Sequence, residues 1–152
     1  MRVIIQNVIN ASVSIDNKIV GKISRGFCLF VGFTDGDDEN IVSKMVNKII
    51  GLRLFNDENG KTNLSLKDID GEILSVSQFT LYGSVKDGRR PAFVNAMRPE
   101  KASHLYNYFN DCLKNSEFHI EKGVFGADMK VSLVNDGPFT MILDSEELFK
   151  WK

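Results

Sequence analysis

The sequence predicts a mixed α and β domain, a mixed sheet carrying two main helices. Three observations predict it. Residues 1–34 read as β structure, two later segments place apolar residues at helical spacing, and alternating strands return after each helix. No repeat, low-complexity tract or Pro/Ser/Gly-rich linker interrupts residues 1–152, so one domain is expected. With 152 residues, 43% of them hydrophobic, a single core can bury most of the apolar surface without a disulfide or metal staple.

The elements follow in order. Ala11, Val13 and Ile15 alternate with Ser12, Ser14 and Asp16, as in a half-buried strand. Asp16-Asn17 supplies a turn and Lys18–Ile23 the return strand. Residues 26–33 form a continuous apolar run of strand length, which predicts a central strand. Asp37-Asp38-Glu39-Asn40 then precedes Ile41, Val42, Met45, Val46, Ile49 and Ile50, one apolar helix face with acids at its start and Gly51 at its end. Residues 53–55 read as a short strand, 56–60 as a turn ending in Asn-Gly, and Asp70-Gly71 leads into a strand over Glu72–Ser77. Pro99 suits the first turn of a second helix with Ala102, Leu105, Tyr106, Phe109 and Leu113 on its apolar face. Met129, Val131, Leu133 and Asn135 alternate with polar residues, and Phe139, Met141 and Leu143 do so after Gly137-Pro138.

Composition narrows the function. The net charge is −1, so any polyanion site has to be a local patch. No apolar run reaches 18 residues, and the N-terminus lacks the regions of a signal peptide, so membrane insertion and secretion are not expected. Cys28 and Cys112 read as buried small hydrophobes in a reducing compartment. His104 and His119 have no ligand partners at metal spacing, and no zinc motif, phosphate loop, dinucleotide fingerprint or nucleophile elbow occurs. Neither a metal nor a cofactor is expected. A Ser-His-Asp triad would need His104 or His119 beside Ser77, and His104 reads as a surface or boundary residue in mid-helix.

Three segments stand out. In Ser75-Val76-Ser77-Gln78-Phe79-Thr80-Leu81-Tyr82-Gly83 an apolar strand ends in hydroxyls and an amide, and strand-end N–H groups can point at a ligand oxygen. The plainer alternative is hydroxyls padding a strand with Gln78 in solvent. In Val134-Asn135-Asp136-Gly137-Pro138-Phe139-Thr140, Asp-Gly between two alternating strands is an ordinary hairpin signal, but Pro138 removes a donor, restricts Gly137 and opens the way to a cis bond. Lys86, Arg89, Arg90, Arg98 and Lys101, against Asp87 and Glu100, make a locally basic stretch that suits either a phosphate backbone or a solvated loop.

Together, in this order and at this chain length, these segments resemble the D-aminoacyl-tRNA deacylase family along essentially the whole chain. Its Ser-Gln-Phe-Thr signature stands as Ser77-Gln78-Phe79-Thr80, and its Asn-x-Gly-Pro-x-Thr signature as Asn135-Asp136-Gly137-Pro138-Phe139-Thr140. Phe55-Asn56-Asp57 with Gly60-Lys61, Arg90-Pro91 with Phe93, and Phe125-Gly126-Ala127-Asp128-Met129 are also similar to the family. The departures are Asn7 for the usual Arg, Phe139 for the usual Val and Thr62 for the usual Met.

The resemblance implies a mostly antiparallel mixed sheet or partial barrel. It also implies a cytoplasmic homodimer that hydrolyses the ester between a D-amino acid and the 3′-terminal adenosine of tRNA. By the same carry-over, the Gly137-Pro138 of one subunit, with its peptide bond cis, reaches into the other's active site as a chiral gate. Glycyl-tRNA, having no Cβ, would pass it. The oxyanion would be held by the backbone N–H of Phe79 and Thr80, with Ser77 and Gln78 aligning the adenosine. The 2′-hydroxyl of that adenosine would assist. Phe125 and Met129 would wall the pocket. Asn135, Phe139 and Thr140 would complete the substrate side, and the basic stretch would meet the tRNA backbone. An alternative mechanism makes Thr80 a nucleophile, although no base is visible to activate it. Alternative functions are a non-catalytic module binding tRNA ends, or an L-selective editing domain of similar fold.

Overall fold

β1 (Arg2–Ile15) organises the computed structural model, which describes residues 1–150. Its second half pairs with β2 (Lys18–Ile23), its first half with β3 (Gly26–Gly32), and most of its length with β8 (Lys130–Asp144), all antiparallel. The β1–β2 turn is Asp16-Asn17, both with positive φ, the conformation that two-residue hairpins favour. β3 continues the sheet into β6 (Glu72–Ser77), and β6 into β7 (Ile120–Lys122), both pairings parallel. The sheet is therefore mixed, with the apolar run expected to be central lying between β1 and β6. A small hairpin joins β4 (Phe55–Asn56) to β5 (Thr62–Leu64).

One face of the sheet packs on α1 (Glu39–Gly51) and α2 (Pro99–Asn115). Asp38 caps α1 by accepting from the Ile41 N–H at 2.8 Å, and Val42, Met45, Val46 and Ile49 turn inward. α2 buries Ala102, Leu105, Tyr106, Phe109 and Leu113, the predicted face, with the polar Asn110 among them. On the other face Val8, Ala11, Val13, Ile23, Cys28, Leu74 and Val76 form a second apolar cluster, closed by Met129, Val131 and Leu133 of the β8 region. The sheet thus curls nearly shut.

The structure changes two of these expectations, the hairpin and the burial of Cys112, and adds two elements. β8 is not two strands of a hairpin. Both halves pair in line with β1, Asn135 opposite Val8 and Thr140 opposite Gln6, so the residues around Gly137-Pro138 are looped out of one ladder. β7, and a short α3 (Ser145–Phe149) capped by Asp144, were not predicted. Cys112 is only half-buried, unlike Cys28, whose thiol burial pushes up to about 12. The expected domain extent included residues 151–152, which lie outside the described residues.

Candidate functional site

β6 delivers its C-terminal end to a cleft of about 710 Å³. Val76, Ser77, Gln78 and Phe79 line it, with Phe93, Ala96, Met97, Arg98, Pro99 and Ala102 from the start of α2 and the segment before it, and residues 125–129 with Val131 from the approach to β8. Below it, the Tyr106 phenol donates to the Ser75 carbonyl at 2.9 Å, fixing the strand just before its end at the cleft. Burial pushes this phenol up, so it remains a neutral donor.

After Ser77 the chain breaks into a 3-10 turn, η1 (Phe79–Tyr82). The Gln78 N–H still donates to the Val31 carbonyl at 2.7 Å, while the turn begins with Leu81 N–H bonding the Gln78 carbonyl at 3.3 Å. The first N–H groups of such a turn have no intrahelical acceptor. Among the described residues, the Phe79 and Thr80 amides donate to no protein group. Gly32 lets the turn sit this close to β3. A Cβ there would lie 2.8 Å from the Gln78 carbonyl oxygen and 3.1 Å from the Leu81 Cβ. The Gln78 side-chain amide donates to Thr80 Oγ1 at 2.5 Å, and among the described residues neither an imidazole nor a carboxylate bonds to that hydroxyl.

Gly137-Pro138 is a cis peptide, with Gly137 at φ +138°, a region L side chains rarely adopt. Asn135 braces the excursion. Its Nδ2 donates to the Asn7 and Phe139 carbonyls, each at 2.9 Å, and its Oδ1 accepts from the Phe139 N–H at 3.2 Å. The Asn7 side chain, where the resembled family has a cation, turns away and donates to the Leu54 carbonyl at 2.7 Å. Asp136, Gly137 and Pro138 are exposed, and none of residues 135–140 lines the cleft of this chain. Gln6 Nε2 donates to Thr140 Oγ1 at 3.1 Å on the same exposed surface.

The predicted site residues therefore fall into three places. Ser77, Gln78, Phe79, Phe125 and Met129 meet in the cleft with Thr80 beside it. Asn135, Gly137, Pro138, Phe139 and Thr140 sit together on β8, away from it. Lys86, Arg89 and Arg90 are exposed on the loop closed by the Ser84–Ala92 bridge, Arg98 is on the cleft rim, and Lys101 lines a separate crevice with Asp37, Glu39 and His104. His104 is exposed and 2.9 Å from Glu39, far from any serine role. Sequence reasoning missed Val76, Met97 and Ala102 as cleft walls, and Phe93, whose ring meets Phe79 edge-on at 5.0 Å. Only an exposed aromatic pair could have signalled the last; the others read as core.

The family model described as D-Tyr-tRNA(Tyr) deacylase matches residues 4–144. The D-aminoacyl-tRNA deacylase of Lactobacillus gasseri is 61% identical over 144 residues, covering 95% of this chain and 99% of that protein. The protein of the same name from Listeria innocua serovar 6a is 52% identical over 150 residues, covering 99% and 100%. Among solved structures, a protein titled c-Myc DNA Unwinding Element Binding Protein superposes with a TM-score of 0.88 at 40% identity, covering 95% of this chain and 98% of that one. A probable eukaryotic D-amino acid tRNA deacylase shares the fold at a TM-score of 0.82 and 20% identity, covering 93% and 97%.

Proposed function

The chain belongs to the D-Tyr-tRNA(Tyr) deacylase family and is a hydrolase of the D-aminoacyl-tRNA ester bond; from that premise we propose how its residues perform the reaction and select the substrate. The aminoacyl ester occupies the cleft with its carbonyl oxygen at η1. As water adds, the Phe79 and Thr80 amides hold the oxyanion, and Ser77 and Gln78 align the terminal adenosine. An aminoacyl ester is already activated, so positioning and oxyanion stabilisation suffice without a strong nucleophile. One such donor is worth about 2.7–4 kcal/mol. Thr80 is not the nucleophile in this reading, because its hydroxyl oxygen already accepts from Gln78 and has no base bonded to it among the described residues. Thr80→Val should stay within about tenfold of the parent single-turnover rate, the scale of one hydrogen bond. A trapped acyl-Thr80 adduct would overturn this.

Selection comes from a second copy. The observation that carries this reading is the division of the two signature segments: the turn with the unpartnered Phe79 and Thr80 amides stands at one end of the cleft, which Phe79 lines, while the braced Gly137-Pro138 elbow is exposed and outside that cleft. In a homodimer the elbow of one subunit enters the cleft of the other. Its carbonyls hold the α-amino group and an L side chain collides with it, whereas glycyl-tRNA passes. Phe125 and Met129 wall the pocket, and Phe139 sets its width beside the elbow. Lys86, Arg89, Arg90, Arg98 and Lys101 meet the tRNA backbone, and a tRNA substrate suits a cytoplasmic enzyme.

Matched D-, L- and glycyl-tRNA test the selection. Loss of the D and glycyl esters with the L ester spared is expected, and equal loss of D and L would remove the gate. Mixing tests the dimer. A Ser77→Ala/Thr80→Ala copy and a Pro138→Ala copy, each weak alone, should recover part of the activity when allowed to exchange subunits. No recovery would refute a gate supplied in trans.

A further inference from the structure

We propose that Arg2 is a positioning residue for the turn that binds the oxyanion, acting through the Leu81 carbonyl and the Tyr82 ring; this rests on the oxyanion role proposed above for the Phe79 and Thr80 amides. Arg2 opens β1, opposite Gly32 of β3 and Asp144 of β8. Its Nη1 donates to the Leu81 carbonyl at 2.9 Å, and its Nε donates to Asp144 Oδ2 at 3.0 Å. The guanidinium carbon stands 4.5 Å from the centroid of the Tyr82 ring.

Two of these contacts, to Leu81 and Tyr82, act on one end of η1. A helical turn leaves its last carbonyls without intrahelical donors, and Arg2 supplies one to Leu81. Tyr82 is 7% exposed, yet its hydroxyl has no partner among the described residues. Its ring is therefore located by packing and by the cation above it rather than by a hydrogen bond of its own. The strut is anchored at its far side, because Asp144 also accepts from the Glu146 N–H at 2.9 Å, capping α3. At the other end of the turn, Gln78 is fixed by the Val31 carbonyl and by the close approach to Gly32. The two amides lie between these fixed points. Their direction is set by β3 at one end and by Arg2 at the other. Lysine cannot reproduce this, since one ammonium lacks the planar fork that serves two acceptors while stacking on a ring.

The test compares Arg2→Met, Arg2→Lys and Val42→Ala in the full chain, with D-tyrosyl-tRNA as substrate. Val42 is fully buried in α1, away from the cleft, and its truncation supplies a stability loss without touching the turn. Single-turnover rates at saturating enzyme, half-saturating enzyme concentration and Tm are read for each. Arg2→Met should lower the saturating rate at least tenfold and leave half-saturation within twofold. Arg2→Lys should fall between it and the parent, and Val42→Ala should keep the parent rate despite a lower Tm. If Arg2→Met does not fold, Arg2→Lys decides, by losing rate where Val42→Ala does not. A rate loss that merely tracks Tm, or a change in half-saturation alone, would overturn the proposal. If the parent hydrolyses the D ester and the Arg2 variants match it, only the role of Arg2 fails. If the parent hydrolyses no D ester, the underlying reading fails.

Discussion

The turn at residues 78–82 and the elbow at 136–138 are both departures from regular strands, but they are held differently. The turn is fastened into the fold at both ends, by Val31 and Gly32 on one side and by Arg2 on the other. It faces a cleft walled by its own chain. The elbow is fastened by one side chain, Asn135, and projects into solvent. The difference suits the roles proposed for them: a group that stabilises developing charge has to be preorganised to within a fraction of an ångström, which a packed core supplies. A group that rejects by collision needs only a rigid shape, and one bracing residue can supply it.

That contrast can be broken from either side. The largest effect is expected from Gly32→Ala. The new Cβ would press on the Gln78 carbonyl, which is backbone and cannot rotate away. Overpacking of this kind costs about 1–3 kcal/mol, and misaligning one oxyanion donor costs up to about 10²–10³ in rate. Denaturant unfolding and single-turnover hydrolysis measure the two. An unchanged rate would show that the turn tolerates displacement.

Asn135→Ala attacks the elbow instead. It removes three hydrogen bonds, at about 0.5–1.5 kcal/mol each for an ordinary bond. The discrimination between D and L esters should fall while the intrinsic hydrolysis of glycyl-tRNA falls less. Equal losses on both substrates would mean that Asn135 serves the cleft and not the elbow.

A smaller effect is expected in acid. Partial burial works to raise the Asp144 pKa, but the Arg2 guanidinium and the Glu146 N–H outweigh it and hold the carboxyl below its usual value. A carboxylate with a depressed folded pKa contributes stability above its unfolded pKa, about 3.9. That contribution is lost as pH falls through the folded value. Tm should therefore drop more steeply below about pH 4 in the parent than in Asp144→Asn. Parallel curves would show that the pair contributes no measurable linkage.

Much of this molecule was legible locally. The β1–β2 turn followed from Asp16-Asn17, α1 from its acidic start and apolar face, and α2 from Pro99 and its stripe. The looped-out elbow was not, because Asp-Gly between alternating segments is written the same way whether the segments pair with each other or with a third strand. The structure resolves it through β1, which is long enough to pair with both halves of β8. β7 and α3 were missed because each is too short to show a period. In the site, Ser77 to Thr80 stood out as polar residues at the end of an apolar strand. Val76, Met97 and Ala102 did not, since a cleft wall and a core position call for the same apolar side chains.

By itself the sequence determined the periodic elements and marked two segments as candidates for the chemistry, because those depend on residues a few positions apart. Tertiary structure decided which of those segments share a cleft, that 135–140 stands outside it, and that the second residue of the chain grips a carbonyl at position 81. Such contacts depend on where distant strands are brought to rest, and neither alternation nor helical spacing carries that information.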